Sequence, residues 1–183
     1  MKILRLISLL LTLPLAAQPA AGSHPDPWKA LSFLLGAWEA KTAGGQPAAA
    51  SGSYTFREEL SGHILARHSS SDSCKGPADF NCDHHDLLYA WQSFPHGPVS
   101  AIYFDNEGHV IHYSVTTSAT PDSDTAIFLS DPNQPGPLFR LVYQRKGETM
   151  TGRFQSQAPG RSEWQTYLEW SGAKLPQKMS EGK

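Results

Sequence analysis

The sequence contains few cysteines, few charged residues and, after its first residues, no long apolar segment. Only 2 of its 183 residues are Cys and 17% are charged, with 15 Lys and Arg against 17 Asp and Glu. Its net charge of −2 argues against nucleic acid as a partner, because phosphate binding needs an excess of basic groups. Beyond residue 22, no run approaches the roughly 20 apolar residues of a membrane-spanning helix. We therefore expect no membrane span.

Motifs of common enzyme classes are also missing. No serine lies in a G-x-S-x-G turn, no glycine-rich phosphate loop is present and no pair of carboxylates stands out. The histidines lack metal-ligand spacing, since residues such as His109 and His112 face opposite ways on a strand. Cys82 to Asp86 (CDHHD) is the best metal candidate, but it also fits a solvated loop that enters a strand. An enzyme is not favoured, and no metal site is predicted.

The first 22 residues have the pattern of a secretory signal peptide. Lys2 and Arg5 precede an apolar stretch from Ile7 to Ala17, and small residues follow, which places cleavage between Ala17 and Ser23. Removal of this segment, with Lys2 and Arg5, changes the net charge of the chain from −2 to −4. We predict a periplasmic or secreted protein, and the oxidising compartment predicts a disulfide between Cys74 and Cys82.

The remaining chain alternates apolar and polar residues with a period of two, interrupted by turn residues, which is typical of strands. Short connections predict antiparallel neighbours, and a closed barrel removes the exposed edges. The expected fold is all-β: a single antiparallel, calycin-like barrel of about ten strands over residues 23–172, with a polar tail at 173–183. Loops are expected at 42–53, 69–83 and 131–137. The predicted strands are 37–41, 54–60, 64–69, 86–92, 99–104, 109–117, 125–130, 138–145, 149–155 and 163–170.

The stretch LSFLLGAWEA at residues 31–40 predicts a junction between a helix and the first strand. Asp26 is a candidate N-cap with Pro27 at the first helical position, so 27–35 is predicted as one or two helical turns. Gly36 ends the helix. Trp38 then begins the first strand and is predicted to be a core residue that closes the barrel.

Several of these segments resemble known families. Gly36-Ala37-Trp38 after a short helix looks like the G-x-W signature of lipocalins and other calycins. Residues 33–39 with 54–60 are similar to the opening of nitrobindin-type haem-binding barrels. Residues 103–110 and 164–170 resemble a family of lipocalin-like bacterial proteins of unknown function. Together the resemblance spans about residues 31–170.

The resemblance implies a ten-stranded barrel whose interior holds a small apolar molecule. In two features this sequence departs from the patterns of the families it resembles. Nitrobindin-type proteins hold haem through a histidine on a C-terminal strand, but residues 162–170 contain none. Lipocalins stack a basic residue from the end of the barrel sequence on the signature tryptophan. The last predicted strand here has none, and only Arg153, Arg161 or Lys174 could take this role. No cofactor is predicted; haem or metal binding of nitrobindin type and a structural barrel without ligand remain alternatives.

The predicted function is the binding of a small hydrophobic ligand by an aromatic interior. Glu58 is expected on the inward face, paired with an arginine such as Arg67 or acting as a general base, and His109 at the inner rim. Catalysis by Glu58 with His109 remains a lesser alternative, so no catalytic residue is assigned. The predicted ligand-binding residues are Tyr54, Phe56, Glu58, Arg67, Tyr89, Trp91, Tyr103, His109 and Tyr113.

Overall fold

The computed structural model describes residues 26–44, 46, 48–78 and 80–176, and it forms a closed antiparallel barrel of ten strands. Each strand pairs with its neighbours in the chain, and β1 closes the barrel against β10. The predicted all-β barrel is therefore confirmed, whereas the predicted signal peptide lies outside the described residues. A 3-10 helix (Lys29–Leu34) precedes β1 (Gly36–Thr42), β2 (Ala49–Glu59), β3 (Ile64–Lys75), β4 (His85–Gln92), β5 (Val99–Asp105), β6 (Val110–Thr120), β7 (Ser123–Ser130), β8 (Leu138–Lys146), β9 (Thr149–Gln157) and β10 (Gln165–Ala173).

The two ends of the barrel differ in their connections. The end that we call the mouth carries the connections at 43–48, 76–84, 106–109, 131–137 and 158–164, three of which have seven or more residues. The opposite end, which we call the closed end, carries the 3-10 helix and the connections at 60–63, 93–98, 121–122 and 147–148. Within the described residues no helix is long and apolar enough to cross a bilayer.

The predicted junction between helix and first strand is present, but the helix covers Lys29–Leu34 instead of 27–35 and its N-cap is Trp28 instead of Asp26. Asp26 Oδ1 accepts a hydrogen bond from the Trp28 amide at 3.0 Å, and the helix that follows buries Leu31 and Leu34. Gly36 has φ +117°, a conformation that favours glycine. Trp38 is 1% exposed and its indole N–H donates to the Leu34 carbonyl at 2.8 Å. The tryptophan therefore ties the helix to the barrel it closes.

About half of each of two predicted loops, 42–53 and 69–83, is strand, which corrects the expected boundaries. β2 begins at Ala49 and β3 continues to Lys75, so that Ala50 pairs with Cys74 across the two strands. Small residues such as those of 48–53 and 69–73 have little strand propensity. These two segments are strands because their backbones pair with each other. The predicted disulfide between Cys74 and Cys82 is present and closes the connection after β3.

The predicted polar tail also begins later than expected. Ala173 is the last residue of β10, and Lys174 forms an isolated bridge with Trp38. The Leu175 amide donates to the Ala37 carbonyl at 2.8 Å. These backbone pairs, which the polar composition does not reveal, fix Lys174 and Leu175 to β1. Residues 177–183 lie outside the described part.

Candidate functional site

A cavity of about 520 Å³ opens at the mouth of the barrel. This volume lies within the roughly 300–1,000 Å³ of typical small-molecule sites. One wall is formed by apolar and aromatic side chains from β6, β8, β9 and β10, namely Ile111, Phe139, Leu141, Phe154, Leu168 and Trp170. Phe80 and the Cys74–Cys82 disulfide line the cavity from the connection after β3.

Below this cavity the barrel is filled by its own side chains. Phe56 and Tyr143 pack edge to face with ring centroids 5.2 Å apart, and Phe128 contacts Tyr143 at 6.1 Å. All three are less than 2% exposed. The barrel is therefore open in its upper half and packed in its lower half.

A buried ion pair forms the polar wall of the cavity. Arg67 on β3 places Nη1 2.9 Å from Asp86 Oδ1 on β4, and its Nη2 donates to Asp86 Oδ2 at 3.3 Å. Ser69 Oγ also donates to Asp86 Oδ2, at 2.6 Å. Burial alone would raise the pKa of the Asp86 carboxyl, but the charge of Arg67 with hydrogen bonds from His84 and Ser69 holds it below its usual value. Both side chains are thus charged, and their opposite charges neutralise each other.

His84 connects this ion pair to the rim of the mouth. Its Nε2 lies 3.4 Å from Asp86 Oδ2, and its Nδ1 lies 3.0 Å from Glu107 Oε1. The hydrogen bond with Asp86 raises the pKa of the imidazole, with a further contribution from Glu107 that outweighs partial burial. In return, the hydrogen bond from His84 lowers the pKa of Glu107. Because Glu107 also accepts from Asn81 Nδ2 at 3.1 Å, it joins the disulfide-closed connection to the β5–β6 turn.

Tyr103 and Asp105 extend the network along β5. The Tyr103 hydroxyl donates to Asp105 Oδ2 at 3.2 Å and lies 3.3 Å from His84 Nε2. Asp105 Oδ2 is also 2.8 Å from His109 Nδ1, and Oδ1 accepts from the Glu107 and His109 amides. Burial raises the pKa of Tyr103, and the nearby Asp86 adds to this effect. Its hydroxyl therefore stays protonated and serves as a donor.

Five buried polar atoms of cavity-lining residues have no hydrogen-bond partner among the described residues. Four can donate, namely the hydroxyls of Tyr54 and Tyr113, the indole N–H of Trp170 and Nε of Arg67; the fifth is the acceptor Asp86 Oδ1, which keeps only its ionic contact with Arg67 Nη1. Each belongs to a cavity-lining residue that is at most 7% exposed. Burial raises the pKa of both tyrosines, so their hydroxyls remain protonated. The Tyr143 hydroxyl is equally unpartnered but lies in the packed lower half.

Six of the nine predicted ligand-binding residues point to the interior of the upper or central barrel. Five of them line the cavity: Tyr54, Arg67, Tyr103, His109 and Tyr113. His109 lies at the rim, as the alternation of β6 predicts. Phe56 is inward but belongs to the packed core beneath the cavity.

Glu58 is inward by register but lies at the other end of the barrel. It pairs with Leu65 across β2 and β3, and it lines a smaller depression at the closed end beside Trp28 and Leu31. Its side chain is exposed there, and the partner of Arg67 is Asp86. The expected pairing of Glu58 with Arg67 and its cooperation with His109 are both wrong, because the layer of Phe56 and Tyr143 fills the space between the two ends.

Tyr89 and Trp91 lie on the outer face of β4, which corrects their predicted orientation. The buried residues of this strand are Asp86, Leu88 and Ala90. Both faces of the segment carry apolar residues, so alternation alone does not identify the inner one. The pairing of Leu88 with Arg67 and of Ala90 with Leu65 decides it.

Sequence reasoning missed four residues of the polar wall: His84, Asp86, Asp105 and Glu107. His84 and Asp86 belong to the segment that was considered as a metal site or a solvated loop. One signal was present, since Asp86 is in phase with Leu88 and Ala90 at the start of a strand. Within the described residues no group of three His, Cys, Asp or Glu side chains has the geometry of a metal site.

The residues of the cavity do not fit the haem mode of nitrobindin-type barrels. β10 contains no histidine. The histidines that line the cavity are His84, whose two ring nitrogens both contact protein groups, and His109 at the rim. Of the three basic residues considered for stacking on Trp38, Lys174 lies beside it, with Nζ 5.4 Å from the ring centroid.

Comparisons with known proteins support the fold. No family model matches the chain, and no curated protein matches it in sequence. Among solved structures, it is similar to the crystal structure of Rv2717c from M. tuberculosis, with a TM-score of 0.59 and 19% identity over 84% of this chain and 99% of that chain. At this identity the likeness shows the barrel fold and nothing further.

Proposed function

We propose that this protein is a lipocalin-like barrel that binds a small hydrophobic molecule in the upper half of its interior. The observation that carries the proposal is the cavity of about 520 Å³, open at the mouth and walled on one side by aromatic and aliphatic side chains. Burial of apolar ligand surface against this wall supplies roughly 25 cal/mol per Å². The filled lower half limits the ligand to the space above Phe56 and Tyr143.

The proposed location is the periplasm or the outside of the cell. The signal-like residues 1–22 support it, as does the disulfide between Cys74 and Cys82, since disulfides persist in oxidising compartments. The bond also holds one side of the cavity mouth in place. Mass spectrometry of the protein from its own host tests the location: a mature N-terminus between residues 18 and 23 is expected, and an intact Met1 would contradict it.

Ligand binding is tested with the uncharged fluorophore N-phenylnaphthylamine and two matched variants. Ile111 lines the cavity on β6, whereas the next residue, His112, is exposed on the outer face. Ile111→Trp places an indole in the cavity and should abolish the fluorescence increase. His112→Trp adds the same group outside and should leave titration unchanged. No saturable binding by the parent protein, or equal binding by both variants, would refute the proposal.

A further inference from the structure

We propose that the ligand is an uncharged amphipathic molecule: an apolar body ending in one hydrogen-bond acceptor, such as the carbonyl of a ketone, ester or amide. This inference rests on the proposed function and specifies the class of ligand. Its basis is the distribution of charges and of unpartnered donors around the cavity. This distribution favours a ligand with a neutral acceptor over a ligand with a carboxylate or an amine.

The positive charge in the cavity is already compensated. Arg67 is the only Lys or Arg among the described residues that line it. Both terminal nitrogens of the guanidinium contact Asp86. A ligand carboxylate would have to displace Asp86 to obtain the two-pronged contact that arginine offers. The buried Asp86 carboxylate would then lose its guanidinium partner, which is unfavourable for a charge at a buried position.

The mouth also disfavours anions. Three carboxylates line the cavity, Asp86, Asp105 and Glu107, against Arg67 and the imidazoles of His84 and His109. An entering carboxylate therefore gains no net attraction, and its own desolvation is costly. Long-chain carboxylates are thus poor ligands even though the apolar wall suits their chains.

Amines are disfavoured because the carboxylates are already occupied. Asp86 is held by Arg67 and Ser69, and Asp105 by Tyr103 and His109. Glu107 is held by His84 and Asn81. A ligand ammonium would therefore meet carboxylates that already have cationic or hydrogen-bonding partners, while its own desolvation is costly.

Apart from Asp86 Oδ1, which keeps its ionic contact with Arg67 Nη1, the unpartnered polar atoms of the described cavity-lining residues can all donate a hydrogen bond. The Tyr54 and Tyr113 hydroxyls, the Trp170 indole N–H and the Arg67 Nε–H all lack protein acceptors among the described residues. Their residues line the cavity while the atoms themselves are buried, so contact with a ligand acceptor requires these side chains to adjust. A buried donor without a partner carries a desolvation cost that one acceptor removes. A neutral carbonyl supplies this acceptor without burying a charge.

The experiment displaces N-phenylnaphthylamine with four compounds of equal chain length that end in a methyl ketone, a carboxylate, a primary amine or no polar group. At pH 7.5 we expect the ketone to bind at least about tenfold more tightly than each of the others. A tenfold ratio in Kd corresponds to about 1.4 kcal/mol, which is within the usual worth of one or two satisfied buried hydrogen bonds. Tightest binding by the carboxylate or the amine would overturn the inference. Equal binding by the hydrocarbon would overturn it too, because the donors would then be unused.

Two single variants, their combination and one control variant locate the effect. Tyr54→Phe and Tyr113→Phe, separately and combined, should bring the ketone close to the affinity of the hydrocarbon while the affinity of the hydrocarbon is kept. Tyr89→Phe removes a hydroxyl from the outer face and should change neither. If the ketone keeps its advantage in the double variant, the assigned donors are wrong. Failure of every compound to displace a probe that binds overturns this inference alone, whereas failure of the probe to bind removes the proposed function as well.

Discussion

Arg67 and Asp86 neutralise each other inside the barrel wall, with Nη1 and Oδ1 2.9 Å apart and both side chains at most 6% exposed. The Arg67 guanidinium also lies 5.5 Å from the ring centroid of Tyr54 and 5.7 Å from that of Tyr143. It thereby joins the polar wall of the cavity to the aromatic core beneath it. The stability of the barrel and the properties of its cavity consequently depend on the same ion pair.

Asp86→Asn should destabilise the fold by about 3–5 kcal/mol, the usual cost of leaving a buried charge without its partner. Urea denaturation followed by tryptophan fluorescence measures the loss. Glu59→Gln is the matched control, because it removes the carboxylate of the exposed pair with Arg57 and should cost no more than about 1 kcal/mol. A loss below about 1 kcal/mol for Asp86→Asn would show that Arg67 finds another partner.

Trp38→Ala should lower the free energy of unfolding by about 3–5 kcal/mol, as expected for the removal of a buried large aromatic side chain. Trp38 packs against the helix and beneath Lys174, and it is 1% exposed. Trp91→Ala, on the outer face of β4, should cost clearly less. Equal losses in the two variants would contradict the role of Trp38 in closing the barrel.

His84 should titrate above the ordinary histidine value of about 6.5, and NMR of its ring protons measures this. Since the folded pKa is the higher one, its contribution to stability is complete below about pH 6.5 and is lost as the pH rises through the folded pKa. Asp86 and Glu107 have lowered pKa values, so their contributions are present above the ordinary carboxyl range and are lost as the pH falls. Glu107→Gln should lower the pKa of His84; an unchanged value would exclude their coupling.

Replacing both cysteines by serine should lower the free energy of unfolding by about 2.5 kcal/mol, which is the chain-entropy value for a closed loop of this length. The same change should speed the release of N-phenylnaphthylamine, because the connection that it closes lines the mouth. Reduction of the parent protein by dithiothreitol should reproduce both effects. Unchanged release in the reduced protein would mean that the disulfide stabilises the barrel without shaping the mouth.

The predictable part of the site lies on strands with one clear apolar face. On β2 and β6, Tyr54 and Tyr113 alternate with polar residues, so period-two reasoning places them inside correctly. On β4 both faces carry apolar side chains, and the bulkier set, with Tyr89 and Trp91, proves to be outside. Small Ala90 fits the crowded interior where it pairs with Leu65 and Ala101.

The polar wall was less predictable because its members are distant in sequence. Arg67 and Asp86 are 19 residues apart, and His84 and Glu107 are 23 residues apart. Glu58 shares the inward face with Tyr54, yet it lies one layer too low to meet Arg67. The position of a residue along the barrel axis depends on the stagger between strands. The period-two pattern within one strand carries no information about that stagger.

The amino-acid sequence alone determined the strand number, the helix-to-strand junction at Gly36, the cysteine pair and the closure into a barrel, because these follow from local periodicity, turn residues and the need to remove sheet edges. Only the tertiary structure decided which face of β4 is buried, that Asp86 is the partner of Arg67, and that the interior is open above and packed below. These features depend on cross-strand register, where a shift of one residue reverses every side chain. Register is set by all ten strands together.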